Sequence, residues 1–336
     1  MSMEDTLIFL IGTPRSGSTL LSRMLGSHSA IYNRSEPHLL TPLAHLGYFG
    51  SVQKAPYDPF NVTEAIHGVV EEMPGKEADY LAACRAYTDI VYGQLLAGSG
   101  KTRFLDKTPA YALVLPFITK LYPQARYVVQ TRNPVAIFSS YVASFFDGDY
   151  RVAQAHNPIL DRYVPAIAQL LRDRPVPVIH VRYEDVVQSP PATLESICTF
   201  LSVPFEPGMV EYGKHQHDES GLGDPLGVKQ HDRPVTTSLD RWTEEFAGDE
   251  PKIAFVRDLV LRLDPNDLRI WGYDQDALVA GLDGARGKPG RRKPRGFDRY
   301  RMQRKLLVAL RRNIHHNALG RVLKRARFAL DVVLRE

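Results

Sequence analysis

The stretch that most constrains this chain lies near its start. Leu7-Ile-Phe-Leu-Ile-Gly12 is continuously apolar and reads as a buried strand. It runs straight into Thr13-Pro-Arg15-Ser16-Gly17-Ser18-Thr19, and then into Leu20, Leu21, Met24 and Leu25 at helical spacing. A strand, a tight turn of small residues and an apolar helix in that order aim the first backbone N–H groups of the helix beyond the strand end, where they can surround anionic oxygens. Gly17 lets the backbone approach such a group closely. The outline matches a nucleotide-triphosphate P-loop, but Ser18 stands where the lysine of that motif is expected, which argues against ATP or GTP hydrolysis. Arg15, inside the loop, offers a fixed positive charge with a planar fork instead. The plainer reading is a strand–turn–helix junction with small residues for packing.

Apolar runs at 102–106, 126–131 and 176–182 predict further strands. Helical spacing follows at 111–121, 135–146 and 192–201, and an amphipathic helix is predicted at 80–96. Strands alternating with helices predict an α/β chain: a three-layer, P-loop-type fold whose central, mostly parallel sheet is flanked by helices on both faces. The segment 37–100 is then an insertion placed to shape a substrate pocket. Residues 205–240, rich in Gly, His, Asp and Pro, read as loop. The core is expected to span 1–275. A Gly/Pro/Arg-rich linker is expected at 284–297, and a basic amphipathic helical extension at 298–336, where Leu319, Val322, Leu323, Ala326, Leu330 and Val333 share one face.

Charge is unevenly divided. Residues 286–336 hold 17 Lys and Arg against 3 Asp and Glu. The rest holds 25 against 35, so a tail of +14 joins a body of −10. Such a tail suits an anionic membrane surface or an acidic partner, or docks on its own acidic body; nucleic acid is not the expected partner. No apolar run is long enough to span a membrane. Glu4 and Asp5 precede the first apolar run, unlike a secretory signal. The two cysteines, Cys84 and Cys198, make neither a zinc site nor a disulfide framework, so a cytoplasmic setting is expected, peripheral at the membrane if the tail binds there.

Other segments carry candidate chemistry. Arg132-Asn-Pro directly follows the strand 126–131, and Ser140 lies two turns into the next helix. Val181-Arg-Tyr183-Glu-Asp185 follows the strand 176–182, where Tyr183 reads either as a ligand-side ring or as a structural residue. Glu36, in Asn33-Arg-Ser-Glu36-Pro37, and the nearby His38 are rival candidates for a general base. Lys107 follows the strand 102–106, and Ser238 lies in Pro234-Val-Thr-Thr-Ser238-Leu-Asp-Arg-Trp242, whose Trp242 reads as structural. His215, His217 and His231 invite a metal reading, but no carboxylate motif accompanies them, so no metal is expected.

In this ordered set, over about residues 6–245, the chain resembles the superfamily of sulfotransferases that use 3′-phosphoadenosine-5′-phosphosulfate (PAPS), and within it the tyrosylprotein- and glycan-type enzymes. The loop is similar to their PKSGTT- or PRSGST-like signature, which implies that Arg15, Ser16, Gly17, Ser18 and Thr19 bind the 5′-phosphosulfate. An Arg followed eight residues later by Ser implies Arg132 and Ser140 as 3′-phosphate ligands; some relatives carry a further basic residue near position 144, where this chain has Ser144. Tyr183 sits in a YEDL-like element near the nucleotide. Lys107 matches a DKSP- or DKTP-like element and would stabilise the leaving phosphate, Ser238 would touch the sulfuryl group or the bridge, and Glu36 would face the acceptor. Asp106-Lys107-Thr108 lacks the His that cytosolic small-molecule enzymes use there, which favours Glu36. The resemblance implies sulfuryl transfer from PAPS, without a metal, to an acceptor hydroxyl, first a carbohydrate or glycolipid and alternatively a small hydroxylated metabolite or a carrier-bound hydroxyacyl group. The readings from other classes are a P-loop kinase or NTPase and a noncatalytic nucleotide-binding module.

Overall fold

A computed structural model describes residues 2–50, 59–146, 148–215, 217 and 231–286. Among the described residues five strands form one sheet: β1 (Leu7–Gly12), β2 (Ile31–Ser35), β3 (Arg103–Lys107), β4 (Arg126–Thr131) and β5 (Val178–Arg182), in the order β2-β3-β1-β4-β5. Every pairing is parallel, so the sheet is wholly rather than mostly parallel. A parallel sheet is covered on both faces, which is why β1 is buried from end to end. Alternation along β1 sends Leu7, Phe9 and Ile11 into one core layer and Ile8 and Leu10 into the other. The helix Ser18–Gly26 and the helices Tyr183–Gln188 and Pro190–Leu201 pack on the second layer. The helices Glu77–Ser99, Leu115–Leu121, Pro134–Phe145 and Ile159–Asp173 pack on the first, together with the helices after Arg241. Burying a large apolar side chain stabilises by about 1.5–3 kcal/mol, and these two layers carry most of that gain.

The topology opens a crevice. The chain leaves β1 over one face toward β2 and leaves β4 over the other toward β5, so the connections after these neighbouring strands diverge at their carboxyl ends. Open α/β sheets bind ligands at such a point.

Four of the five strands coincide with the apolar runs. β2 does not: only Ile31 is buried in it, and as an edge strand it shows no apolar run. The insertion therefore lies between β2 and β3, not between the first two strands. The helix expected at 111–121 is two pieces, a 3₁₀ turn Pro109–Leu113 and an α-helix Leu115–Leu121. They are separated at Val114 (φ −127°), with Pro116 in the first turn of the second. Within the loop expected at 205–240, short 3₁₀ segments occur at Pro207–Lys214 and Thr236–Ser238. The expected linker begins three residues early, because the helix Gln275–Arg286 continues through 284–286. The rest of the linker and the basic extension lie outside the described residues.

Candidate active site

Each strand delivers one candidate residue at or just past its carboxyl end. Arg15 follows β1, Glu36 follows β2, Lys107 ends β3, Arg132 follows β4 and Tyr183 follows β5. Register explains part of this: Ser35 pairs with Lys107, so β2 and β3 end together, and Gly12 pairs with Gln130 and Thr131 with Arg182, so β1, β4 and β5 end together; because Phe9 pairs with Asp106, β3 stops about two residues short of Gly12.

The loop after β1 folds tightly. Arg15 and Gly17 both have positive φ, 71° and 90°. At Gly17 a Cβ would lie 2.3 Å from Cδ2 of Tyr183, so both the backbone conformation and the ring stacked against it require glycine. Ser16 is fully buried, and its hydroxyl has no hydrogen-bond partner among the described residues; the same holds for the hydroxyl of Thr13 and the side-chain amide of Gln130 beneath the loop. Ser18 opens the helix Ser18–Gly26, whose first N–H groups face the crevice by helix geometry. Unpaired buried hydroxyls, a helix N-terminus and a guanidinium in one cradle fit a phosphosulfate.

Arg132 ties this loop to the far side of the crevice. Its Nη1 donates to the carbonyl of Arg15 at 3.1 Å and its Nη2 to the carbonyl of Ser238 at 2.9 Å. The guanidinium lies 4.3 Å from the centre of the Tyr183 ring, a cation–π contact. Burial works against its charge, while Tyr183 and Glu184 favour it. Arg15 Nε donates to the hydroxyl of Ser140 at 3.1 Å, and the hydroxyls of Tyr183 and Ser238 share a hydrogen bond of 2.6 Å. Asn133 caps the helix Pro134–Phe145 by accepting from the N–H groups of Val135 and Ala136, which fixes Arg132 at the helix entrance. Arg15, Arg132, Ser140, Tyr183 and Ser238 thus form one connected cluster.

Glu36 and Lys107 form the second part of the site. Lys107 Nζ lies 2.6 Å from Glu36 Oε1, with the lysine side chain 1% exposed and that of the glutamate 18% exposed. The backbone N–H of Glu36 donates to the carbonyl of Lys107 at 2.9 Å. Glu36 and His38 both hold positive φ, 51° and 54°, a strain concentrated in the segment that carries both candidate bases. Trp242 is buried and packs against Phe246. His215 and His217 bond backbone carbonyls, of Gly208 and Tyr212. Among the described residues no three His, Cys, Asp or Glu side chains converge as metal ligands.

Three site neighbours are not candidates on sequence grounds, although Glu184 and Asp106 lie inside the Tyr183 and Lys107 motifs. Glu184 accepts from the N–H of Asn133 and from the hydroxyl of Tyr273, holding the strand end that bears Arg132. Tyr163 lies near enough to Glu36 to feel its charge; burial chiefly, with that charge adding, pushes its hydroxyl up to about 12. Asp106 is fully buried beside Lys107 and accepts hydroxyl hydrogen bonds from Tyr92, Thr108 and Tyr111. A lone Glu, Tyr or Asp in a helix or strand looks like any packed residue until the fold brings its partners together.

Residues 8–207 match the Sulfotransferase family, and the chain belongs to that family. Among its relatives, the nodulation protein NoeE of Sinorhizobium fredii is 32% identical over 186 residues, covering 55% of this chain and 42% of that protein. The protein-tyrosine sulfotransferase of Drosophila melanogaster is 24% identical over 284 residues, covering 81% of this chain and 52% of that protein. The chain therefore spans about half the length, or less, of these relatives. Among solved structures, the sulfotransferase domain of the Synechococcus PCC 7002 olefin synthase superposes with a TM-score of 0.51 at 25% identity, over 80% of this chain and 94% of that domain.

Proposed function

We propose that this protein is a PAPS-dependent sulfotransferase that transfers a sulfuryl group to an acceptor hydroxyl. The observation that carries the reading is the contact between Glu36 and Lys107, 2.6 Å apart at the paired ends of β2 and β3. It joins a group able to take the acceptor proton to one able to stabilise the departing phosphate.

When bound, PAPS supplies an activated sulfuryl group whose S–O bond to the phosphate breaks as the acceptor oxygen bonds to sulfur. The chain's own part is positioning and electrostatics, as in phosphoryl transfer. Arg15, Ser16, Gly17, Ser18 and Thr19 would hold the 5′-phosphosulfate through side chains and helix N–H groups. Arg132 and Ser140 would hold the 3′-phosphate, with Tyr183 packed on Arg132. Ser238, tied to both Tyr183 and Arg132, would close this side. Glu36 receives the proton of the acceptor hydroxyl, and Lys107 faces the negative charge left on the phosphate.

For the acceptor we propose a carbohydrate or glycolipid hydroxyl, supported by the resemblance to glycan-type enzymes. The Drosophila relative is a protein-tyrosine sulfotransferase, which makes a tyrosyl peptide the competing acceptor. Sulfur-labelled PAPS offered to a panel of oligosaccharides, glycolipids, tyrosyl peptides, small hydroxylated metabolites and carrier-bound hydroxyacyl groups tests both levels. Label moving to a glycan supports the full reading, label moving only to another class corrects the acceptor, and no consumption of PAPS with any of them contradicts the activity. We further propose that the basic segment 286–336 directs the enzyme to an anionic membrane surface or an acidic partner. No helix among the described residues is long and apolar enough to cross a membrane.

A further inference from the structure

The segment between β2 and the short helix Leu40–Ala44 carries Glu36 in a conformation that side-chain-bearing residues seldom adopt, with positive φ at Glu36 and again at His38. Such a conformation persists only where its surroundings fix it. Two hydrogen bonds donated by backbone N–H groups bracket the segment. At one end the N–H of Glu36 donates to the carbonyl of Lys107 at 2.9 Å; at the other the N–H of Leu40 donates to the hydroxyl of Tyr111 at 3.1 Å. Both anchors therefore lie in the stretch from Lys107 to Tyr111.

The second anchor depends on a buried carboxylate. A phenol has one proton to donate, and its rotor sets where its lone pairs point. The Tyr111 hydroxyl donates to Asp106 Oδ2 at 3.0 Å, which leaves its lone pairs for the N–H of Leu40. The same oxygen accepts from Tyr92, on the helix Glu77–Ser99, at 2.7 Å, while Oδ1 accepts from Thr108 at 2.8 Å. Tyr92 thus braces Asp106 from the insertion side, whereas Tyr111 passes the constraint on to the Glu36 segment.

We propose that Tyr111, oriented by its hydrogen bond to Asp106, is a positioning residue that fixes the start of the Leu40–Ala44 helix and so holds Glu36 against Lys107. The proposal rests on the reading of Glu36 and Lys107 as the transfer pair, but its structural content can be tested independently. Tyr111→Phe and Tyr92→Phe each remove one hydroxyl from the same carboxylate oxygen, and only the first cuts the link to Leu40. In the full chain, Tyr111→Phe should speed amide exchange at Glu36 and Leu40 by tenfold or more relative to Tyr92→Phe, with the two variants melting at similar temperatures. In PAPS turnover with water as acceptor, Tyr111→Phe should lower kcat about tenfold with KM for PAPS unchanged, and Tyr92→Phe should stay within about twofold of wild type. Equal exchange in the two variants, or Tyr111→Phe indistinguishable from wild type, overturns the proposal; where water turnover is too slow to follow, the exchange contrast alone decides it. Failure of the wild-type chain to bind 3′-phosphoadenosine-5′-phosphate (PAP) would instead remove the sulfotransferase reading and leave the exchange result standing.

Discussion

At the scale of single residues, Arg132 combines a structural role with the proposed 3′-phosphate role, and the two can be separated. It spends two N–H groups on the carbonyls of Arg15 and Ser238 and stacks on Tyr183, and it is the residue assigned to the 3′-phosphate. Arg132→Ala should weaken PAP binding by about a hundredfold, roughly 2.7 kcal/mol, while weakening ADP binding much less. Equal losses for both nucleotides in calorimetry would mean that Arg132 serves only loop geometry. Glu36→Gln should bind PAP within about threefold of wild type and lose transfer by about 10²–10⁴; a fully active variant would move the base role to His38. Gly17→Ala should lower the melting temperature by several degrees and weaken PAP binding at least tenfold, because it adds strain at φ 90° and drives a methyl into the Tyr183 ring. Thermal melts and PAP titration read both effects, and an unchanged variant would show that the loop is not held as described. Arg15, Lys107, Arg132 and Tyr183 were legible in the sequence because each stands at or just after an apolar run, as Arg132 follows 126–131, whereas Glu36 follows β2, which has no such run. Asp106 was legible only as the neighbour of Lys107: Thr108 and Tyr111 are close to it in sequence, but Tyr92 comes from the helix Glu77–Ser99, and only the fold brings all three hydroxyls onto one carboxylate.

At the scale of elements, β1, β3, β4 and β5 announce themselves because each lies in an apolar run, although β5 is an edge strand in which only Val178 and Val181 are buried. β2 was hidden because an edge strand of sequence Ile-Tyr-Asn-Arg-Ser buries one residue fully. The break at Val114 was hidden because 111–121 keeps helical spacing across it. One element-level consequence is a pH dependence of stability. Burial pushes the Asp106 carboxyl up to about 6, against the opposing effects of Tyr92, Thr108, Tyr111 and the nearby Lys107 charge, itself paired with Glu36. A group whose folded pKa is raised binds its proton more tightly in the native state, so its contribution to stability is best at low pH and falls as pH rises from about 4 to about 6. The loss amounts to roughly 3 kcal/mol by pH 7. Denaturant titrations of wild type and Asp106→Asn at pH 4 to 7 should therefore show the variant gaining on wild type by about that amount as pH rises. Parallel pH profiles for the two proteins would mean that Asp106 is no more costly to ionise in the fold than in the unfolded chain.

At the scale of the whole molecule, a body of −10 is joined to a basic segment of +14, and the candidate site lies entirely within the body. A chain ending at Arg286 should keep PAP affinity within about twofold and lose binding to vesicles containing anionic phospholipid; retained vesicle binding would place that contact on the body instead. The central claim is that the crevice reads the 3′-phosphate of an adenosine phosphosulfate rather than a nucleotide triphosphate. The measurement that tests it most directly is calorimetric titration of the full chain with PAP and, in parallel, with ADP, without added metal. Tight PAP binding with much weaker ADP binding is the predicted result. No preference for PAP would contradict the assignment of Arg132 and Ser140 and bring the kinase and noncatalytic nucleotide-binding readings forward.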